Sequence, residues 1–468
     1  MAFDGIAVLL GLGLLSAAGL VRPRLWDVLA AAGAALIVGM AAIGTVTIAA
    51  LTAGLHPGVL VVAIVALAAA LAAGALGVVR ARRAPAPAEP MRRPTAAVWA
   101  PVAGVAVFVV AQLVASRDVG VAWDAAHIWT VKAMAIASTD GLDGQLFSEH
   151  SYLPTSHQDY PLMQPVIGSL LLRFADSMRQ GVLIGQIWVL IGAAVLAVPW
   201  LYRSGPKTWL AVVPLALAVA AAPNQGVLRG DADVLMACFL MVGAASLGRL
   251  VETSERGYAV PAALALAAAA NTKNEGLVFA AALVACALVL ALVARRGAWA
   301  VAAVGVVAAL LAAPWRLWVS AHGPFASDVT PLSTSLDPGY LADRLDQLDL
   351  GARELLGHFA DPGYGLTVPA LIACAGAAIL ARRCTRIATF HLTGLLLVVL
   401  ALLWVYWTSQ QPDVSGHITR TTLRTVTAPL FLAAAGLAHL LPQLVPPPSG
   451  GQDERAGAAR NERIASST

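Results

Sequence analysis

Apolar residues run through this chain in long unbroken blocks. They do not follow the alternating repeat of a half-buried strand or the 3.6-residue repeat of a surface helix. Blocks near 20 residues recur, the length that crosses about 30 Å of hydrocarbon as a helix. They predict spans at roughly 5–21, 26–50, 57–79, 97–115, 182–201, 208–222, 233–248, 258–271, 277–294, 298–319, 364–381, 388–408 and 421–441. The expected fold is an all-α polytopic membrane protein with about 13 transmembrane helices. Residues 161–175 (PLMQPVIGSLLLRFA) are apolar but short, and carry two prolines. They predict an interfacial or re-entrant helix after the first large outer loop. The same pattern divides the chain into a three-span N-terminal addition (1–79), a basic linker (80–96), the main membrane domain (97–441) and a disordered tail (442–468) rich in Pro, Gly, Ser and charge.

Composition narrows the class. Of 468 residues, 59% are hydrophobic and 12% charged, against about 25% charged in an ordinary soluble protein. A soluble enzyme, a nucleic-acid binder, a disordered chain and a secreted disulfide scaffold are all excluded. The net charge of +4 does not point to nucleic acid, because the cations lie in short loops between spans. Cys238, Cys286, Cys374 and Cys384 have neither paired nor zinc-ligand spacing. The start, Met1-Ala2-Phe3-Asp4, lacks the basic region of a signal peptide, so the first apolar block reads as a retained span.

Basic residues orient the spans, since cytoplasmic loops carry the excess of Arg and Lys. The arginines between Arg80 and Arg93 place the linker in the cytoplasm. If 161–175 does not cross, Arg203/Lys207, Arg249/Arg256, Arg295/Arg296 and Arg382/Arg383/Arg386 all become cytoplasmic; if it crosses, every later basic loop inverts. The first arrangement is the better one, and it puts the active side of a plasma (inner) membrane protein on the extracytoplasmic face. Loops 116–160, 223–232, 271–276, 320–363 and 409–420 then share that outer face, and they hold most of the chemistry-bearing residues.

Five motifs mark candidate site residues. Asp124 and His127, in Trp123-Asp124-Ala125-Ala126-His127, stand at i, i+3 and so share a helix face, with Lys132 further along. A partly buried Asp124 suits a general base; a helix cap is the plainer role. His157-Gln158-Asp159-Tyr160-Pro161 places an acid and an imidazole two residues apart, enough for a polar group or a metal, or simply for a turn into the next helix. Asp231-Ala232-Asp233 can accept hydrogen bonds from sugar hydroxyls, hold a divalent cation, or cap a helix. Asn271-Thr272-Lys273-Asn274-Glu275-Gly276 sets polar groups in an apolar hairpin, where they are costly unless they face a cavity or each other. It uses one of only three lysines, the others being Lys132 and Lys207. His417, Arg420 and Arg424 stand at the mouth of the last span, the arginines at i, i+4 on one stripe. Such a pair suits a phosphate at headgroup depth; snorkelling to headgroups is the alternative. In the loop 320–363, Tyr340 to Phe359 carries a leucine stripe that predicts an amphipathic helix lying on the outer surface.

The order of these motifs (a first outer loop with an acid, then H-x-D-Y-P, G-x-A-D, K-N-E-G and a late arginine pair) resembles the GT-C superfamily of polytopic glycosyltransferases. The similarity is greatest to bacterial relatives of the protein O-mannosyltransferases and lipid A aminoarabinose transferases, and it covers roughly 97–441. The resemblance implies inverting transfer of a sugar from a polyprenyl-phosphate donor to a hydroxyl of a glycan, lipid or protein, within the membrane and without nucleic acid. It implies Asp124 as the base, and Lys273, Arg420 and Arg424 on the donor phosphate. His127, Lys132, His157, Asp159, Tyr160, Asp231, Asp233, Glu275 and His417 would serve the sugar or acceptor. Ala125 stands where many such enzymes carry a second acid, which leaves open whether Asp124 acts alone or with Asp159. No cofactor is required by this chemistry, while Asp231 and Asp233 leave a divalent cation open. The rival readings are a transporter or flippase with the same charges along a pathway, and a non-enzymatic partner in a cell-envelope complex. A transporter predicts polar groups near the midplane and paired broken helices, whereas here the polar groups gather at the outer span ends.

Overall fold

In lipid the backbone has no water to bond to, so a chain this apolar satisfies its N–H and C=O groups within helices. Every regular element among the described residues of the computed structural model is helical. Those residues are 2–22, 24–83, 96–121, 123–142, 145–148, 157–177, 179–221, 230–323, 330–411 and 414–445. Most of the expected linker, the tail beyond 445, and Arg229 lie outside them.

The main helices are α1 (Ala2–Ala17), α2 (Ala32–Thr52), α3 (Val59–Arg83), α4 (Ala96–Ala115), α5 (Val131–Thr139), α6 (Met163–Phe174), α7 (Gln180–Leu201), α8 (Thr208–Ala221) and α9 (Ala232–Thr253). They continue as α10 (Ala259–Ala270), α11 (Asn274–Val293), α12 (Ala298–His322), α13 (Leu345–Ala360), α14 (Thr367–Leu380), α15 (Thr385–Thr408), α16 (Val414–Thr425) and α17 (Thr427–Leu444). Nine helical stretches among the described residues are long and apolar enough to cross a membrane: α2, α3, α4, α7, α9, α11, α12, α15 and the joined α16–α17. The other four positions expected to span carry shorter apolar helices, α1, α8, α10 and α14. Residues 161–175 form the buried α6, whose 12 residues reach only about 18 Å at 1.5 Å per residue.

Burial sets the layers. An 18-residue window of α9 is 94% buried, that of α16–α17 is 89% and that of α2 is 83%, whereas α4 has none buried and α3 has 17%. Thus α9 is the central post, packed by α7, α10 and α17, and α2 is held among α6, α7, α10 and α12. Small residues let α1 and α2 meet backbone to backbone. A Cβ on Gly39 would fall 1.8 Å from the Ala7 carbonyl oxygen, so no larger residue fits there.

The two ends of α9 hold different polar groups. Asp231 and Asp233 stand at its start. Near its other end Glu252 meets His439 (3.3 Å), and His439 meets His391 (3.2 Å), with Tyr202 stacked on His439. This second network ties α9, α15 and α17 together about 30 Å from the first, by the helical rise.

Two expected boundaries shift. The helix predicted over 340–359 is split at Asp343–Arg344, with a short helix Pro338–Ala342 ahead of α13. The Asp337 carboxylate starts that short helix by accepting from the Gly339 N–H at 2.8 Å. Leu355 and Phe359 of the predicted stripe are buried, while Leu345 faces outward. Helix also begins earlier than the expected last span (421–441), at Val414, so His417 and Arg420 lie within a helix rather than ahead of one. Hydrogen bonds from Thr330, Tyr340 and Trp407 close the 330–342 segment over the end of α15 (Thr330 Oγ1 to Thr408 O, 2.6 Å; Tyr340 OH to Thr408 O, 2.9 Å; Trp407 Nε1 to Leu341 O, 2.9 Å).

Candidate functional site

The polar hairpin between α10 and α11 is the hinge of the site. Alanine-rich α10 ends without a side chain large enough to hold neighbours apart, so its turn sinks between the surrounding helices. Asn271, Thr272 and Lys273 are all buried. Their polar groups are met inside the fold: Thr272 Oγ1 donates to Ala268 O (2.7 Å), and Asn271 Nδ2 donates to Leu311 O (3.1 Å). Asn271 O accepts from the Met163 N–H (2.7 Å), which fixes the start of α6 on the turn. Gly276 closes the motif because a Cβ there would sit 2.0 Å from the Ala269 carbonyl oxygen.

Lys273 Nζ reaches back to Asp233 on the first turn of α9 (2.8 Å) and lies 3.5 Å from Glu275. Burial alone would lower the proton affinity of Lys273, but Asp233 first and then Glu275 raise it above the ordinary lysine range. Asp231 precedes α9 as its N-cap residue and is almost fully buried. Burial pushes its carboxyl up to about 7, with Arg424 pulling the other way. The Asp231/Asp233 pair is therefore met by protein cations, one carboxylate held by Lys273 and the other facing Arg424 at 3.9 Å. Among the described residues, no group of three or more His, Cys, Asp or Glu is placed to hold a metal ion.

Asp124 stands at the start of a π-helix, Ala125–Thr130, that leads into α5. Such wide turns are rare and often fall at functional sites. The altered winding separates two residues expected to share a face. Asp124 pairs with Arg424 Nη1, while His127 turns back to the Trp123 carbonyl (2.9 Å) and stacks on the Trp123 ring. Lys132 is fully buried. Its ammonium donates to the carbonyls of His157 and Tyr160, the latter at 3.4 Å, and so pins the turn that carries Asp159. Burial lowers Lys132 to about 7, with Asp159 opposing. The same turn is held from α12 by Trp315 Nε1 donating to Asp159 O (3.1 Å), and His157 stacks on Tyr160.

The arginines at i, i+4 do not act as a pair. Arg424 is part-buried, one turn further into the bundle, and reaches Asp124 and Asp231. Arg420 is exposed, and its Nε donates to Gly416 O (2.8 Å) on its own helix. The buried side of α16 is that of Ile418, Thr422 and Thr425, and Arg420 points away from it.

These elements surround a cavity of about 980 Å³. Asp159, Tyr160, Lys273, Glu275, His417 and Arg424 of the predicted set line it; Asp124, His127, Lys132, His157, Asp231, Asp233 and Arg420 do not. Leu277 and Val278 of α11, Val319 of α12, and Leu402 and Val405 of α15 add apolar surface to the same lining. One lining cation stands outside the five motifs. Arg316 lies on α12 and donates to Asn274 Oδ1 and, at 3.4 Å, to Ala270 O. Its signal was legible: a lone arginine inside an apolar block is expensive unless it faces a cavity or a partner.

Fold and site together define a polytopic helical membrane protein with a large cavity lined by both charged and apolar side chains. The chain matches no family model, no curated protein and no solved structure.

Proposed function

We propose that this protein is a glycosyltransferase of the GT-C type that moves a sugar from a polyprenyl-phosphate donor to a hydroxyl acceptor. The observation that carries this reading is the mixed lining of the cavity, which joins cations, acids and apolar side chains. A lipid-linked phosphate needs cations at headgroup depth and an apolar path for its chain, and the cavity is lined by Lys273, Arg316 and Arg424 together with apolar side chains of α11, α12 and α15. Acids and His417 among the lining groups can accept and donate hydrogen bonds to sugar hydroxyls.

In this reading all thirteen apolar helices cross, α6 re-enters or lies in the interface, and the arginine-rich loops are cytoplasmic, so the cavity faces outward from the plasma membrane. Residues 97–441 form the catalytic domain, with the first three spans added to it. The acceptor oxygen loses its proton to Asp124 and bonds to the anomeric carbon. The bond from that carbon to the phosphate oxygen breaks, and the lipid phosphate leaves with the electron pair toward Lys273, Arg316 and Arg424. Prearranged cations favour that departure because they meet charge as it develops. No cofactor enters the displacement.

The test is transfer in proteoliposomes supplied with polyprenyl-phosphate sugars and a hydroxyl acceptor. Wild-type protein should transfer, and Asp124→Asn should lose about a hundredfold or more, the usual worth of a general base. Full transfer by Asp124→Asn would falsify the assignment.

A further inference from the structure

Arg424 belongs to two parts of the site at once. Its guanidinium lines the cavity, yet Nη1 is in contact with Asp124, which does not line it. The acid proposed as base is about a third exposed, at 32%, but its carboxylate is taken up by the cation. A second carboxylate, Asp231, waits 3.9 Å from the same Nη1, and its Oδ1 has no hydrogen-bond partner among the described residues. Two acids thus compete for one guanidinium. The Arg424 side chain is 27% exposed, and helix α16, which carries it, ends one residue later at Thr425.

We propose that the Asp124–Arg424 pair is a resting-state latch: an anion of the phosphate class entering the cavity takes the guanidinium from Asp124, and the freed carboxylate is then open to the acceptor. Arginine favours this exchange because its planar fork matches two phosphate oxygens at once. The cavity supplies Lys273 and Arg316 as further cations beside the anion. Base activation then follows donor arrival, so that an empty site holds its base paired with Arg424. Only the use of the freed carboxylate rests on the glycosyltransferase reading; the exchange is a property of the anion site.

Linkage makes the exchange measurable, since a competitor and a ligand weaken each other by the same factor. The full chain in nanodiscs is titrated with undecaprenyl monophosphate and, separately, with inorganic pyrophosphate. Asp124→Asn should bind either anion about fivefold or more tighter than wild type. Asp231→Asn should gain less, because Asp231 is not the residue displaced. A structure of the wild-type protein with bound anion should show Arg424 on the phosphate and off Asp124.

Three outcomes overturn the latch: an anion bound while Arg424 stays on Asp124, equal gains from Asp124→Asn and Asp231→Asn, or no binding of either anion. Pyrophosphate binding with the exchange, but exclusion of the lipid phosphate, supports the latch and removes the lipid-donor reading. Transfer that depends on Asp124 while the Arg424 contact persists in the bound state removes the latch and leaves that reading in place.

Discussion

Lys273 Nζ donates to Asp233 Oδ1 across 2.8 Å, and both side chains are almost fully buried, at 9% and 4% exposed. The pair clamps the α10–α11 turn to the first turn of α9, and so holds Lys273 in place in the cavity lining. Lys273→Met leaves the Asp233 charge buried and uncompensated, which costs about 3–5 kcal/mol. A clear fall in the thermal unfolding midpoint of the detergent-solubilised protein is expected, largely recovered in Lys273→Met/Asp233→Leu. An unchanged midpoint in the single variant would show that the pair carries no structural weight.

Arg316 and Arg420 should separate in function. Arg316 faces the cavity from α12, whereas Arg420 is exposed and bonded to its own helix. Arg316→Gln should lower kcat/KM for transfer about tenfold to a hundredfold, the worth of a charged hydrogen bond. Arg420→Gln should stay within about threefold, the small effect expected of an exposed charge. Equal losses would place the phosphate elsewhere.

Asp231 should impose a pH step on anion binding. Burial keeps its proton on up to about pH 7, despite the opposing charge of Arg424. Below that pH the carboxyl is neutral and the Arg424 charge is uncancelled by it; above, the ionised carboxylate offsets the cation and repels an entering anion. Pyrophosphate affinity, taken as the ratio of wild type to Asp231→Asn so that the probe's own titration cancels, should fall as pH rises through about 7. A flat ratio between pH 5.5 and 8.5 rules this out.

Much of the scaffold was legible because the membrane simplifies the problem. Long apolar blocks have one stable form in lipid, and a helix occupies each predicted position. The boundaries moved where local chemistry overrode pattern: Asp337 starts a separate short helix, and α16 extends the last span to Val414. The lysine of the K-N-E-G turn was recognisable by its rarity, and six of the predicted site residues do line the cavity. Spacing alone does not make Arg420 and Arg424 a pair. Residues four apart share a stripe, yet one turn of depth places Arg424 among buried acids and leaves Arg420 exposed. Arg316 is hard to see in the sequence because the average over an apolar block hides a single charge.

By itself the sequence determined that this chain lives in a membrane, that its elements are helices, and which residues carry chemistry. Those follow from local properties: apolar length, charge placement and residue type. Only the tertiary structure decided which charges meet. Asp124 and Arg424 are separated by 300 positions, and Lys273 and Asp233 by 40. No periodicity spans such distances. Their partnership comes from helix packing around α9, and a buried charge settles on whichever opposite charge that packing brings within reach.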